Sequence, residues 1–123
     1  ISSHLPLNKQ TEKSLNKGLF DLVKDGAVFI NSSRGGVVNE EDLYEALTKG
    51  KLSYAILDVL SSEDPDLSNT KLVDLENVVI TPHIGSNVLE ARKNMVHEAL
   101  DGVDSILHGG CPVNVVNKDL FKK

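Results

Sequence analysis

AVFINSSRGGVV, residues 27–38, decides how the rest of the chain is read. Its opening run, Ala27-Val28-Phe29-Ile30, has the β-branched and aromatic content of a buried strand. The run then breaks into Asn31-Ser32-Ser33-Arg34-Gly35-Gly36. Two readings follow. In one, a strand feeds a crevice: the glycines let the backbone turn and approach a ligand closely, and the arginine presents a rigid, permanently charged fork that suits a carboxylate. In the other, the strand ends in a Gly-rich turn with a solvated arginine. These residues alone leave both open.

Around this stretch the chain alternates strands and helices. Upstream, Ile1–Leu5 reads as the end of a buried strand, closed by Leu5-Pro6-Leu7. A helix is expected from about Asn16, with Leu19, Phe20, Leu22 and Val23 inward and Gly26 as a left-handed cap. Downstream, Asn39 is placed to cap a second helix. Glu40, Glu41 and Asp42 lie at its positive end, and Leu43, Ala46 and Leu47 share one face. Lys49-Gly50-Lys51 ends it.

Tyr54–Leu60 then reads as a buried strand interrupted by Asp58, and residues 61–70 as a polar surface loop. Leu72–Leu75 suggests a helical turn, and Asn77–Thr81 a third short strand stopped by Pro82. Asn87 and Glu90 have capping-box spacing. Beyond them Val88, Leu89, Met95, Val96, Ala99, Leu100, Val103, Ile106 and Leu107 recur at helical spacing. Gly109-Gly110 ends that helix, and the tail from Pro112 to Asn117 reads as extended. The pattern predicts a parallel sheet with helices on its faces.

Composition narrows the function. With 123 residues and 40% apolar content the chain has material for one core, and 4% aromatics make it a core of Val, Ile, Leu and Ala. A net charge of −5 argues against nucleic acid or an anionic membrane as partner. No apolar run approaches the ~20 residues of a membrane helix. The single cysteine, Cys111, excludes an internal disulfide and is compatible with a reducing, intracellular setting. It and the scattered histidines form no metal-ligand cluster. His4, His97 and His108 read as structural or exposed, and Ser32 and Ser33 lack the context of a nucleophile elbow.

Ligands of open α/β sheets bind outside the carboxyl ends of the strands. Arg34 follows one such end, Asp58 and Glu63 a second, and His83 a third. A histidine moves protons near neutral pH, a carboxylate beside it orients the ring, and an arginine holds a carboxylate and polarises a neighbouring carbonyl. Together they suit interconversion of a 2-keto acid and a 2-hydroxy acid. Each also has a plain reading, as a turn histidine, a solvated acidic loop or a polar strand end.

The motifs resemble, in order, those of the D-isomer-specific 2-hydroxyacid dehydrogenases. HLPLNKQTE is similar to the family's segment after the fourth strand of its nucleotide-binding domain, and GAVFINSSRGGVVNEEDLYEAL to the signature around its arginine. LDVLSSEDP matches the segment with its aspartate and glutamate, NVVITPHIGS carries its histidine, and PVNVVN resembles its C-terminal return segment. The resemblance implies the second half of a Rossmann-like doubly wound parallel sheet of α/β class, ending in a long helix and an extended tail. Residues 1–108 would be part of an NAD(P)-binding domain, and 109–123 the return segment of the substrate domain.

It implies Arg34, Glu63 and His83 as catalytic residues. Leu5, Ser32, Ser33, Arg34, Asp58, His83, Gly85 and Ser86 would line a site for NAD or NADP. The implied partner is a small 2-keto or 2-hydroxy acid of the glyoxylate, hydroxypyruvate or glycerate class, and the implied assembly a cytoplasmic homodimer. Relatives that act as NAD(H)-binding corepressors supply a non-catalytic alternative.

Asn39 stands where the family usually has aspartate, and Asp64 separates Glu63 from Pro65. The G-x-G-x-x-G loop does not occur. With Ile1 opening what reads as a strand already under way, the expectation is a C-terminal part of a longer enzyme, inactive by itself.

Overall fold

The computed structural model describes residues 1–62 and 67–121. They form two units, Ile1–Gly85 and Ser86–Lys123. The first holds a four-stranded, all-parallel sheet in the order β1-β2-β3-β4. The strands are β1 (Ser2–Ser3), β2 (Ala27–Asn31), β3 (Leu52–Leu57) and β4 (Val78–Ile80). Two helices, α1 (Lys17–Phe20) and α2 (Glu40–Thr48), lie between them in sequence. Among the described residues no helix is long and apolar enough to cross a membrane.

The core forms where sheet and helices meet. Phe29, Ala55, Leu52 and Leu57 turn one sheet face toward Phe20, Leu43, Ala46 and Leu47. Phe20 and Phe29 meet edge to face with centroids 5.5 Å apart, a geometry that adds to simple area burial. Asn39 caps α2 as its position suggests, its Oδ1 accepting from the Asp42 N–H at 3.3 Å. Glu40, Glu41 and Asp42 fill the first turn.

Several expectations change. The helix after Asn16 is capped by Asn16 but lasts only four residues. Beyond Phe20 the chain continues in tight turns, Leu22 N–H to Leu19 O at 3.1 Å and Val23 N–H to Phe20 O at 3.3 Å. These swing Leu22 outward to 85% exposure while Val23 returns to the core. Gly26 does adopt φ +74°, but in the turn entering β2, where its N–H donates to Lys51 O. β3 starts at Leu52 rather than Tyr54 and ends before Asp58, because the ladder shifts register between Ala27 and Val28 and recruits Leu52. The strands are also not buried on both sides. Their second face shows Val28, Tyr54, Ile56 and Val79 at 40–51% exposure.

In the second unit α3 runs Leu89–Leu107 without a buried residue. The Asn87 capping box does not form, since the helix begins one residue later with Val88 at the cap and no side-chain bond there. The tail is not extended. It turns, with Asn114 Nδ2 donating to Glu98 Oε2 at 3.3 Å, and ends in a 3₁₀ turn at Lys118–Phe121.

The contrast between Phe29 and Leu22 is measurable by urea unfolding. Phe29→Ala should cost about 3–5 kcal/mol, whereas Leu22→Ala should stay within about 0.5 kcal/mol of the wild type. A loss of more than about 2 kcal/mol at Leu22 would restore the longer buried helix.

Candidate active site

Parallel pairing places Ser3, Asn31, Leu57 and Ile80 on the last rung of the ladder. The polar segments emerge side by side just beyond it. They are joined across strands: Asp58 N–H donates to Asn31 O at 2.9 Å, Thr81 N–H to Leu57 O at 2.9 Å and His83 N–H to Asp58 O at 3.0 Å.

The loop after β2 is held on several sides. Asn31, 1% exposed, donates from Nδ2 to Arg34 O at 3.0 Å. Its Oδ1 accepts from Ser33 N–H at 3.1 Å and from Ser33 Oγ at 2.8 Å. Gly35 then passes so close to the next loop that a Cβ on it would lie 1.8 Å from Leu60 O; only glycine fits there. Glu40 completes the arrangement by accepting the Ser61 N–H at 2.6 Å. The Arg34 guanidinium is exposed and donates to Ser33 O at 2.7 Å. Among the described residues no carboxylate pairs with it.

The turn after β4 depends on Asp58. One carboxylate oxygen, Oδ1, accepts from the Thr81 hydroxyl and from Ile84 N–H at 2.9 Å; Oδ2 accepts from Gly85 N–H at 2.9 Å. Burial by itself pushes the Asp58 carboxyl up. The bonds from Thr81, Ile84 and Gly85 and the nearby His83 outweigh it and hold the group below its ordinary value. Inside this turn His83 takes φ +52°, a left-handed conformation uncommon outside glycine. Its N–H bonds to Asp58 O and Thr81 O secure it.

Arg34, Asp58, Thr81 and His83 line one cavity of about 880 Å³, together with an apolar wall that includes Leu60, Val73 and Ile80. Leu5, Ser32, Ser33 and Arg34 line a neighbouring groove of about 660 Å³ beyond β1 and β2. Arg34 therefore borders both. Gly85 belongs to the Asp58 turn, Ser86 opens the second unit, and Glu63 lies outside the described residues. Asn31 and Thr81 went unnoticed in the sequence. The available signal was a buried polar residue at a strand end, which needs partners.

Residues 1–85 match the family model for the D-isomer specific 2-hydroxyacid dehydrogenase NAD binding domain. The chain belongs to this family. It is 42% identical over 118 residues to a hydroxypyruvate reductase of Blautia hydrogenotrophica, covering 96% of this chain and 36% of that protein. Against a glyoxylate reductase of Thermococcus litoralis it is 40% identical over 121 residues, covering 98% and 36%.

The structure of a D-lactate dehydrogenase with NAD+ from Lactobacillus jensenii superposes with a TM-score of 0.86 at 31% identity, covering 95% of this chain and 39% of that one. The chain thus spans little more than a third of each of these three proteins. The fold is Rossmann-like, and a nicotinamide dinucleotide is the cofactor of the family. The groove fits such a group in kind: it is open, lies outside parallel strand ends, and combines two serines with the apolar Leu5 and Pro6.

Since folding lowers the Asp58 pKa, the native chain binds fewer protons there than the unfolded one. The stabilisation is complete above the ordinary aspartate value of about 3.9 and is lost as pH falls through the lower folded value. Asp58→Asn should reduce stability at pH 7 by about 1–3 kcal/mol, because an amide nitrogen then faces backbone donors. It should also flatten the acid limb of a pH–stability curve below pH ~4. An unchanged acid limb would remove Asp58 from this role.

Proposed function

We propose that this chain provides the substrate clamp, the acid/base residue and part of the cofactor site of an NAD(P)-dependent oxidoreductase. The reaction interconverts a small 2-keto acid, of the glyoxylate or hydroxypyruvate class, and the D-2-hydroxy acid. The observation that carries this reading is the meeting of Arg34 and His83 on one cavity at the carboxyl edge of a parallel sheet.

Arg34 binds the substrate carboxylate with two guanidinium N–H groups and polarises the adjacent carbonyl. His83 holds the proton that the carbonyl oxygen receives as it becomes a hydroxyl, and takes that proton back in the reverse direction. Glu63 partners His83. Leu5, Ser32, Ser33, Arg34, Asp58, His83, Gly85 and Ser86 hold the cofactor. The bound cofactor, NAD or NADP, supplies or accepts the hydride.

Among the described residues Oδ2 of Asp58 accepts one bond, which leaves lone-pair capacity for a further donor. The apolar wall at Leu60, Val73 and Ile80 limits water around the developing charge. Residues 109–123 belong, in this reading, to the return segment of the substrate domain. The whole protein is taken to be a cytoplasmic homodimer without a nucleic-acid or membrane partner; the net charge of −5 supports the last point.

The test uses the 123-residue chain and a chimera in which it replaces the matched 36% of the Blautia relative. The chimera should consume NADH or NADPH with glyoxylate or hydroxypyruvate, and the chain alone should not. In the chimera Arg34→Ala should raise KM and lower kcat/KM about 10²–10³-fold. His83→Ala should lower kcat about 10²–10⁴-fold. Wild-type kinetics in both variants would reject the assignment, and NADH binding without turnover would favour a non-catalytic, corepressor-like module.

A further inference from the structure

We infer that Asn31 is a positioning residue for Arg34: its carboxamide sets the loop from which the guanidinium reaches the cavity. The inference rests on the reading of Arg34 as a carboxylate clamp. An asparagine at the end of an apolar strand has several possible uses, and here the surroundings leave one. The side chain is 1% exposed, so it meets neither solvent nor either cavity directly. Among the described residues its bonds go to the clamp and the residue before it: Nδ2 to Arg34 O at 3.0 Å, and Oδ1 from Ser33 N–H at 3.1 Å and Ser33 Oγ at 2.8 Å.

Ser33 is braced from the other side by Ser3, 5% exposed, at 3.3 Å between hydroxyl oxygens. The Arg34 guanidinium rests in turn on Ser33 O at 2.7 Å. One buried carboxamide therefore holds the backbone at Arg34 and the residue that supports the Arg34 head group. Arg34 itself has extended dihedrals, φ −142° and ψ 138°, a broad basin that does not by itself select one direction for the side chain. The direction comes from Asn31 on one side and from Gly35 against Leu60 on the other.

Asn31→Asp separates the two halves of this contact. It keeps the acceptor for Ser33 and replaces the donor to Arg34 O with a carboxylate oxygen that repels that carbonyl. The 123-residue chain, labelled with ¹⁵N, is titrated with oxamate, a small carboxylate bearing an α-carbonyl. The Arg34 Nε–Hε signal reports binding and order, and the amide signals of Phe29 and Leu43 report the fold. The wild type should bind oxamate and Arg34→Ala should not. Asn31→Asp should weaken binding about tenfold with a drop in Arg34 side-chain order. Ser53→Ala, at the start of β3 where the hydroxyl donates to Gly26 O at 2.7 Å, should stay within about twofold.

Oxamate binding by folded Asn31→Asp within about twofold of the wild type would overturn the inference. If the wild type itself binds no oxamate, the clamp reading fails and the order of Arg34 decides: a loss in Asn31→Asp supports positioning and no change overturns it. If Asn31→Asp does not fold, the wild-type chain still answers. The Asn31 carboxamide protons should exchange with solvent far more slowly than those of the exposed Asn8, and equal rates would overturn the inference.

Discussion

The last rung of the sheet governs this molecule. Ser3, Asn31, Leu57 and Ile80 are paired in register across four parallel strands. Parallel pairing sends every chain off the same edge in the same direction, so whatever follows each rung residue shares a neighbourhood. His4, Ser32, Asp58 and Thr81 are those next residues. A slip of one residue at any strand would turn its side chains to the opposite face and send Phe29 or Leu57 out of the core. The packing of these two against Phe20, Leu43 and Leu47 thus fixes the polar edge as well as the apolar interior.

Beyond the rung a few backbone bonds continue across the segments, and side chains supply further support. Asp58 collects a hydroxyl and two backbone N–H groups from the turn bearing His83. Asn31 does the corresponding work for the turn bearing Arg34. In both cases a short polar side chain at or just past a strand end satisfies backbone groups that the ladder leaves unpaired. Gly35 ties the Arg34 turn to the loop after β3 by close approach, since any side chain there would collide with the Leu60 carbonyl. The left-handed backbone of His83 is tolerable because these contacts over-determine it.

Family membership and geometry speak to different parts of the molecule. The family match covers residues 1–85, the same residues that form the sheet-bearing unit. Within that unit Arg34 borders both the cavity and the groove. In the proposed reading it is both a clamp on one ligand and the wall of a second site, and the loop carrying it has more than one support.

The sequence by itself determined the α/β alternation, the strand ends at which Arg34, Asp58 and His83 occur, and the capping role of Asn39. These are local matters: hydrophobic periodicity and a capping side chain act within a few residues. Tertiary structure decided the rest. Leu22 reads as core by spacing, but the turn after Phe20 puts it outside. Asn87 has the spacing of a capping box, but the helix starts one residue beyond its reach. Thr81 and the Ile84 and Gly85 amides meet Asp58 across 23–27 residues of chain. Among the described residues the Asn31 side chain bonds to near neighbours, yet its significance comes from burial, which strands and helices distant in sequence impose. A partner brought from another strand leaves no periodic trace in the sequence, and burial belongs to the packed whole.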